Sequence, residues 1–353
     1  MKIAVTGTSG LVGTQVVRAA LEAGHDVRAI VRRETPARTL PGREIERVRS
    51  ELDDEVSLRA ALSGVDGLVH CAAVYAFGDQ RAAELDRVNV EGTKTILRAA
   101  ARAGVSRAVI TSSAITCGSS AGPLERDETD RPGPERVPHY YASKIAQEQA
   151  ALEAGEREGL AVVLALPSVV LGGPYVQLGP SNAIVLRYLL DATRSTYPGG
   201  ANVVDARHVG TGHVQLLEAG RAGQRYVLGG ENVTWRTLHA LVGQLAGLPG
   251  PYAEASASVA WAVSAVAEAW ARVTDTAPLS SREEALTVGR YYWYTSAKAR
   301  HLGYQPGTAR QAVASSLAWL AAGTELPRWV RESLRLAPEV RAARPLVPRP
   351  LQQ

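Results

Sequence analysis

The turn Thr6-Gly7-Thr8-Ser9-Gly10-Leu11-Val12-Gly13 constrains this chain more than any other segment. It joins a short β-branched run at 3–5 to a helical pattern carried by Val12, Val16, Val17, Ala20 and Leu21. Glycines spaced in this way, directly after a strand and at the mouth of a helix, form a turn into which a pyrophosphate fits. Gly7 admits the tight turn, Gly10 lets the backbone approach the phosphates, and Gly13 lets helix and strand pack closely. The helix start offers unpaired N–H groups and the positive end of the helix dipole. Gly7, Thr8, Ser9, Gly10, Leu11, Val12 and Gly13 are therefore the expected dinucleotide cradle.

Short β-branched runs at 3–5, 27–31, 46–48, 67–70, 108–111 and 162–166 alternate with helical patterns such as 90–101 and 142–154. Repeated strand-to-helix alternation requires crossovers, and crossovers require a parallel sheet covered on both faces. The expected fold is α/β, a doubly wound parallel sheet over residues 1–170 with a returning strand near 203–229. After Pro167 the rhythm gives way to loops, helices near 183–193, 234–246 and 256–273, and a strand at 225–228. Residues 171–325 are expected to form a smaller substrate-binding lobe over the carboxyl ends of the sheet.

Composition narrows the classes further. The net charge of +4 is concentrated after residue 325, where six arginines face Glu332 and Glu339. Residues 326–353 are thus expected to be a solvated, proline-punctuated basic tail, and no nucleic-acid motif accompanies them. Cys71 and Cys117 provide neither a disulfide framework nor a metal cluster, and His208 and His213 lack a third ligand at a suitable spacing, so no metal is expected. No membrane span is expected, since the most apolar stretch, near 257–273, is interrupted by Ser258, Ser264, Glu268 and Arg272. The chain starts directly on the first strand, and a cytoplasmic location follows as the expectation.

Chemistry is expected at Tyr140 and Lys144, four residues apart and therefore on one helix face. An ammonium near a phenol favours the phenolate and lowers a pKa that starts near about 10. Ser113, following the strand that ends in Thr111, can bond a substrate oxygen and hold it beside the phenol. At the end of the second strand stand Arg32 and Arg33, which suit a ribose 2′-phosphate. NADP(H) is accordingly the expected coenzyme, with NAD(H) as the alternative.

With these residues the chain resembles the extended short-chain dehydrogenase/reductases, in particular their dihydroflavonol-reductase-like and sugar-epimerase-like branch. The resemblance runs from Met1 to about Leu320 and implies a Rossmann domain. It implies Glu51-Leu52 against the adenine, Ala72 and Ala73 beneath the coenzyme, and Thr111 at its edge. It implies Pro167, Ser168, Val169 and Val170 beside the nicotinamide, and Ser113, Tyr140 and Lys144 as catalytic groups, Lys144 also bonding the nicotinamide ribose. Asn89-Val90-Glu91-Gly92-Thr93 matches a family helix start. Leu166 stands where many nucleotide-sugar enzymes have arginine, and His208 where aspartate is usual. Pairing into a homodimer through helices 90–101 and 142–154 is a further expectation.

The function expected on this basis is NADPH-dependent reduction of a ketone or aldehyde on a small molecule, or the reverse oxidation of an alcohol. Its rivals are NAD-dependent epimerisation or dehydration of a sugar derivative, and non-catalytic dinucleotide binding. The aromatic run Tyr291-Tyr292-Trp293-Tyr294, with Trp261 and Trp270, is a candidate wall for a flat or apolar substrate.

Overall fold

The structure is a computed structural model; it describes residues 1–32, 45–75, 81–134, 137–173, 178–274 and 282–343, without the side chain of Arg272. Six strands fall on the six β-branched runs: β1 (Lys2–Thr6), β2 (Asp26–Val31), β3 (Glu46–Arg49), β4 (Gly67–His70), β5 (Arg107–Thr111) and β6 (Ala161–Pro167). With Arg225–Leu228 they build one parallel sheet in the order β3-β2-β1-β4-β5-β6, the returning strand lying outside β6. Alternate side chains of β1 supply both faces. Ile3 and Val5 pack with Val16, Val17 and Ala20 of α1 (Leu11–Glu22) and with Val209 and Leu217. Ala4 packs on the opposite side with Leu58 and Leu62 of α2 (Glu55–Leu62), Ile96 and Leu97.

The chain winds outward from β1 to β3 and then restarts at β4 in the other direction. Between the carboxyl ends of β1 and β4 the crossovers diverge, leaving the crevice in which open α/β sheets bind ligands. The Thr6 hydroxyl ties the two ends together, 2.8 Å from His70 Nδ1 and accepting the backbone N–H of Cys71 and of Ala72 at 3.2 Å.

The second half builds a smaller sheet around Gly200–Asp205, paired with Glu231–Thr234, Val169–Leu171 and Tyr291–Tyr292. Helices Pro180–Leu190, Trp235–Ala246 and Ala309–Ala322 share its apolar core. The helix expected at 183–193 starts earlier, because Pro180 is pre-set for a first turn, and ends at Leu190. There the Asp191 carboxylate accepts the N–H groups of Thr193 and Ser195 and turns the chain. The pattern at 90–101 covers two geometries, a π-helical turn at Asp86–Glu91 followed by the α-helix Gly92–Arg102.

The tail expectation is corrected as far as residue 343. Helices Arg328–Ser333 and Pro338–Ala343 pack on the smaller lobe, burying Leu326, Val330, Leu334 and Val340. Leu326, Val330 and Leu334 recur every fourth residue, an apolar face that the arginines between them obscure. Residues 344–353 lie outside the described residues. Each such buried side chain contributes about 1.5–3 kcal/mol, so a chain ending at Glu325 should melt several degrees lower than the full chain. An unchanged melting temperature would show that the segment contributes nothing to the fold.

Candidate active site

A cavity of about 380 Å³ occupies the crevice, lined by residues 6–10, 30–32, 50–53 and 71–74 and by the turn around Glu91 and Gly92. Gly7 has φ +66°, and a Cβ there would stand 2.7 Å from Ala72 N. A Cβ on Gly13 would fall 2.2 Å from Gly7 O, so α1 presses directly on the turn, as its spacing implies. Gly10 caps α1 without a side-chain bond, and no acidic residue stands in the first helical turn. The buried Thr8 Oγ1 has no hydrogen-bond partner among the described residues. Free helix N–H groups, an unpartnered hydroxyl and glycines that exclude side chains fit a pyrophosphate. Leu11 and Val12 do not join the lining and pack instead toward the core.

At the far end of the cavity stand Arg32, Glu51, Leu52 and Asp53. Arg33 lies outside the described residues. Among the described residues the lining carries two arginines, Arg32 and Arg87, against four carboxylates; Arg87 reaches Asp53 at 3.9 Å, and Glu84 and Glu91 pair with Arg81 and Lys94 outside the lining. Among the described residues Glu51 and Asp53 stand with Arg32 at this end, which the arginine doublet did not reveal.

Residues 71–75 form the partition between the coenzyme cavity and the acid–base groups. On one side Cys71, Ala72, Ala73 and Val74 line the cavity. On the other, the Tyr75 ring lies 4.1 Å from that of Tyr140, and the Thr111 hydroxyl is 3.2 Å from Cys71 Sγ. Asn89 fixes this partition: it accepts Val74 N–H at 2.8 Å, donates to Val74 O at 3.0 Å and reaches Ser143 Oγ at 3.1 Å.

Tyr140 and Lys144 lie on helix His139–Glu158, one turn apart and both buried. The Ser113 hydroxyl acts on the Tyr140 phenol and favours its charged form, the neighbour expected of a proton donor. The expected effect of Lys144 on the phenol needs correction. Lys144 Nζ stands 6.0 Å from the Tyr140 ring centroid and donates to Thr111 O at 3.0 Å and Gln147 Oε1 at 2.8 Å. Burial, opposed only by Ser113, drives the Tyr140 phenol well above its ordinary value. Tyr140 is therefore a protonated acid at neutral pH.

Ser113 is held by a buried network absent from the motif reading. Glu148 accepts the hydroxyls of Ser112 at 2.5 Å and Thr116 at 2.7 Å and pairs with Arg225 at 2.9 Å. Tyr140, Lys144 and Glu148 recur at four-residue intervals on one helix face, and that spacing was the available signal. Gln147 likewise lies beneath Lys144 and donates to Thr93 Oγ1 at 2.9 Å. Of the residues expected beside the nicotinamide, Pro167 ends β6, Ser168 holds a buried Oγ with no partner among the described residues, Val169 lines a second cavity and Val170 turns into the core.

That second cavity, about 430 Å³, continues beyond Tyr75, Tyr141 and Tyr292 into the smaller lobe. Of the aromatic residues expected to wall it, Tyr292 does so. Tyr294 is buried and bonds Gly118 O, Trp293 donates to Val233 O, and Trp261 and Trp270 are exposed. Tyr188, Tyr197, Trp235 and His239, which no motif indicated, form much of the remaining wall. No helix among the described residues is long and apolar enough to cross a membrane.

The sequence profile of the NAD dependent epimerase/dehydratase family matches residues 3–229. A putative dihydroflavonol 4-reductase of Synechocystis sp. is 31% identical over 89% of this chain and 93% of its own length. PA4631, described as a nucleoside-diphosphate-sugar epimerase from Pseudomonas aeruginosa, has a TM-score of 0.73 at 26% identity, covering 93% of this chain and 99% of its own. MoeE5, solved with UDP-glucose and NAD, has a TM-score of 0.70 at 22% identity, covering 91% and 98%. NAD is also bound in solved structures of DesIV, a Thermus thermophilus UDP-glucose 4-epimerase and WbmH. The preference for NADP(H) is therefore corrected: these structures of the same fold hold NAD, and among the described residues Arg32 shares its end of the cavity with Glu51 and Asp53.

Burial brings the Lys144 ammonium down from 10.5 to about 8. The unfolded chain then holds this proton over a range where the folded chain has released it, so the penalty of the buried charge is full below pH 8 and disappears as pH rises from 8 to 10.5. Stability relative to Lys144→Met should rise across this window by up to about 1.4 kcal/mol per pH unit. Identical pH slopes for the two proteins would contradict the burial of a charged Lys144.

Proposed function

The chain belongs to the NAD dependent epimerase/dehydratase family, the extended short-chain dehydrogenase/reductases, and from that premise and the site's geometry we propose that it interconverts an alcohol and a ketone on a small molecule with NAD(H). The observation that carries the reading is the partition at 71–75, with the cavity behind the glycine turn on one side and the neighbouring Ser113 and Tyr140 on the other. Residues 7–10 and the start of α1 would hold the pyrophosphate, and Glu51 and Leu52 the adenosine end. Bound NAD(H) supplies the hydride donor or acceptor. The chain's part is the proton: Tyr140 donates it to the substrate oxygen in reduction and takes it back in oxidation. Ser113 bonds that oxygen and holds it in line with the phenol. Lys144 places a positive charge behind the pair and has ammonium protons to offer a ribose hydroxyl in place of Gln147.

The ketone has two fates. Its formation or consumption as the final product makes the chain a reductase or dehydrogenase, and the protonated state of Tyr140 favours donation. Its retention as an intermediate makes the chain an epimerase or dehydratase, and the family profile and the likeness to PA4631 favour this fate more broadly. An enzyme that regenerates its coenzyme each cycle keeps NAD through purification and turns over without added coenzyme, whereas a reductase consumes added NADH.

Tyr140→Phe removes the proton donor without changing the residues around the pyrophosphate. NAD affinity should stay within about twofold while turnover falls by about 10²–10⁴. Turnover equal to the unaltered chain would overturn the assigned role.

A further inference from the structure

The second cavity carries an inference that rests on this reading and concerns what its substrate is. Its ring contacts fall into two groups among the described residues. One chain, Tyr75–Tyr140–Tyr141–Tyr292, is continuous with the acid–base site. The other is centred on His239, stacked on Tyr188 at 4.6 Å with the rings 5° apart and flanked by Tyr197 and Trp235. The lining also includes aliphatic side chains such as Val169, Ile184 and Val263.

Charge in this cavity opposes a phosphorylated substrate. Arg187 is the one arginine or lysine among the described lining residues, and it is held by Glu284 at 3.3 and 3.4 Å. The Asp191 carboxylate also stands in the lining and is turned into its own loop. A nucleoside diphosphate with its two negative charges finds more carboxylate than guanidinium here, and transfer of charge to an apolar wall without a counter-charge is strongly unfavourable.

His239 is a directional feature of the far group. It is 4% exposed, its Nδ1 lies 2.9 Å from Thr196 Oγ1, and its Nε2 has no partner among the described residues. Thr196 is fully buried, and its hydroxyl has this histidine as its side-chain partner. Accepting from Nδ1 would leave the hydroxyl hydrogen with nothing to bond, so the hydroxyl donates and Nε2 carries the ring proton. Burial also holds His239 neutral, its pKa lowered to about 4. The cavity is an aromatic and aliphatic box with a neutral N–H donor in the ring group away from Tyr140.

We propose that this cavity takes an uncharged, ring-bearing alcohol or ketone, free of any nucleotide, with a second oxygen remote from the reacting carbon that accepts a hydrogen bond from His239 Nε2. Equilibrium binding to the NAD-loaded protein tests this with cyclohexylcyclohexanol, the corresponding hydroxycyclohexyl-cyclohexanone and UDP-glucose as probes. The hydroxyketone should bind about tenfold tighter than the plain ring alcohol. His239→Phe, which keeps the stack on Tyr188, should bring that ratio close to one while NAD affinity is retained. His239→Gln, which restores an N–H near Nε2, should recover part of it. UDP-glucose should displace neither probe. Competition by UDP-glucose, failure of both ring compounds to bind, equal affinities in the unaltered protein, or a ratio unaffected by His239→Phe would each overturn the proposal. Failure of the redox reading is distinguishable. His239-dependent binding with no Tyr140-dependent hydride exchange overturns the redox reading alone, and Tyr140-dependent turnover of UDP-glucose overturns the cavity assignment alone.

Discussion

The parting of the sheet between β1 and β4 is the constraint on which the rest of the molecule depends. Thr6 and His70 close the two strand ends on each other, and the chain leaves them in opposite directions, into the Gly7 turn and into the partition at 71–75. A side chain at Gly7 would run into that partition, so the dinucleotide turn and the wall facing Tyr140 are fitted to each other at backbone contact. This close fit brings an uncapped helix terminus and a phenol on a separate helix, more than a hundred residues apart in sequence, to two sides of one thin strip of chain.

Electrostatics then separates the roles of the buried groups. Withdrawal from water raises the Tyr140 phenol and lowers the Lys144 ammonium, opposite signs from one physical cause. Lys144 is held by a carbonyl and an amide oxygen rather than by a carboxylate, so its charge stays available to a partner entering the site. Beneath it, the Glu148–Arg225 pair anchors the Ser112–Ser113 turn to the Tyr140 helix. A buried ion pair contributes little net stability, and loss of one partner is strongly destabilising. Its value here lies in position, since it joins β5, the Tyr140 helix and the returning strand at the serine.

The sheet was legible because β-branched runs and glycine turns act locally: the six strand positions, Gly7, Gly13 and the four-residue interval from Tyr140 to Lys144 are all properties of short segments. Less legible were features set by long-range encounters. The turning of Lys144 toward Thr111 and Gln147, the carboxylates of Glu51 and Asp53 near Arg32, and the packing of Leu326, Val330 and Leu334 under an arginine-rich surface each depend on a partner distant in sequence. The substrate-side residues were the most obscure. Tyr188, Tyr197, Trp235 and His239 come from a helix, a loop and another helix whose meeting no periodicity encodes, and an aromatic run that looked like a wall contributed Tyr292 while Trp293 and Tyr294 went to structural bonds.

The most direct measurement is a crystal structure of the chain with NAD bound. The expected result places the pyrophosphate on residues 7–10 at the start of α1, with the nicotinamide ring passing beside residues 71–75 to lie against Ser113 and Tyr140. The contrary result is a coenzyme seated elsewhere, or seated on the glycine turn with its nicotinamide directed away from Tyr140, and it would leave the buried phenol with no reaction to serve.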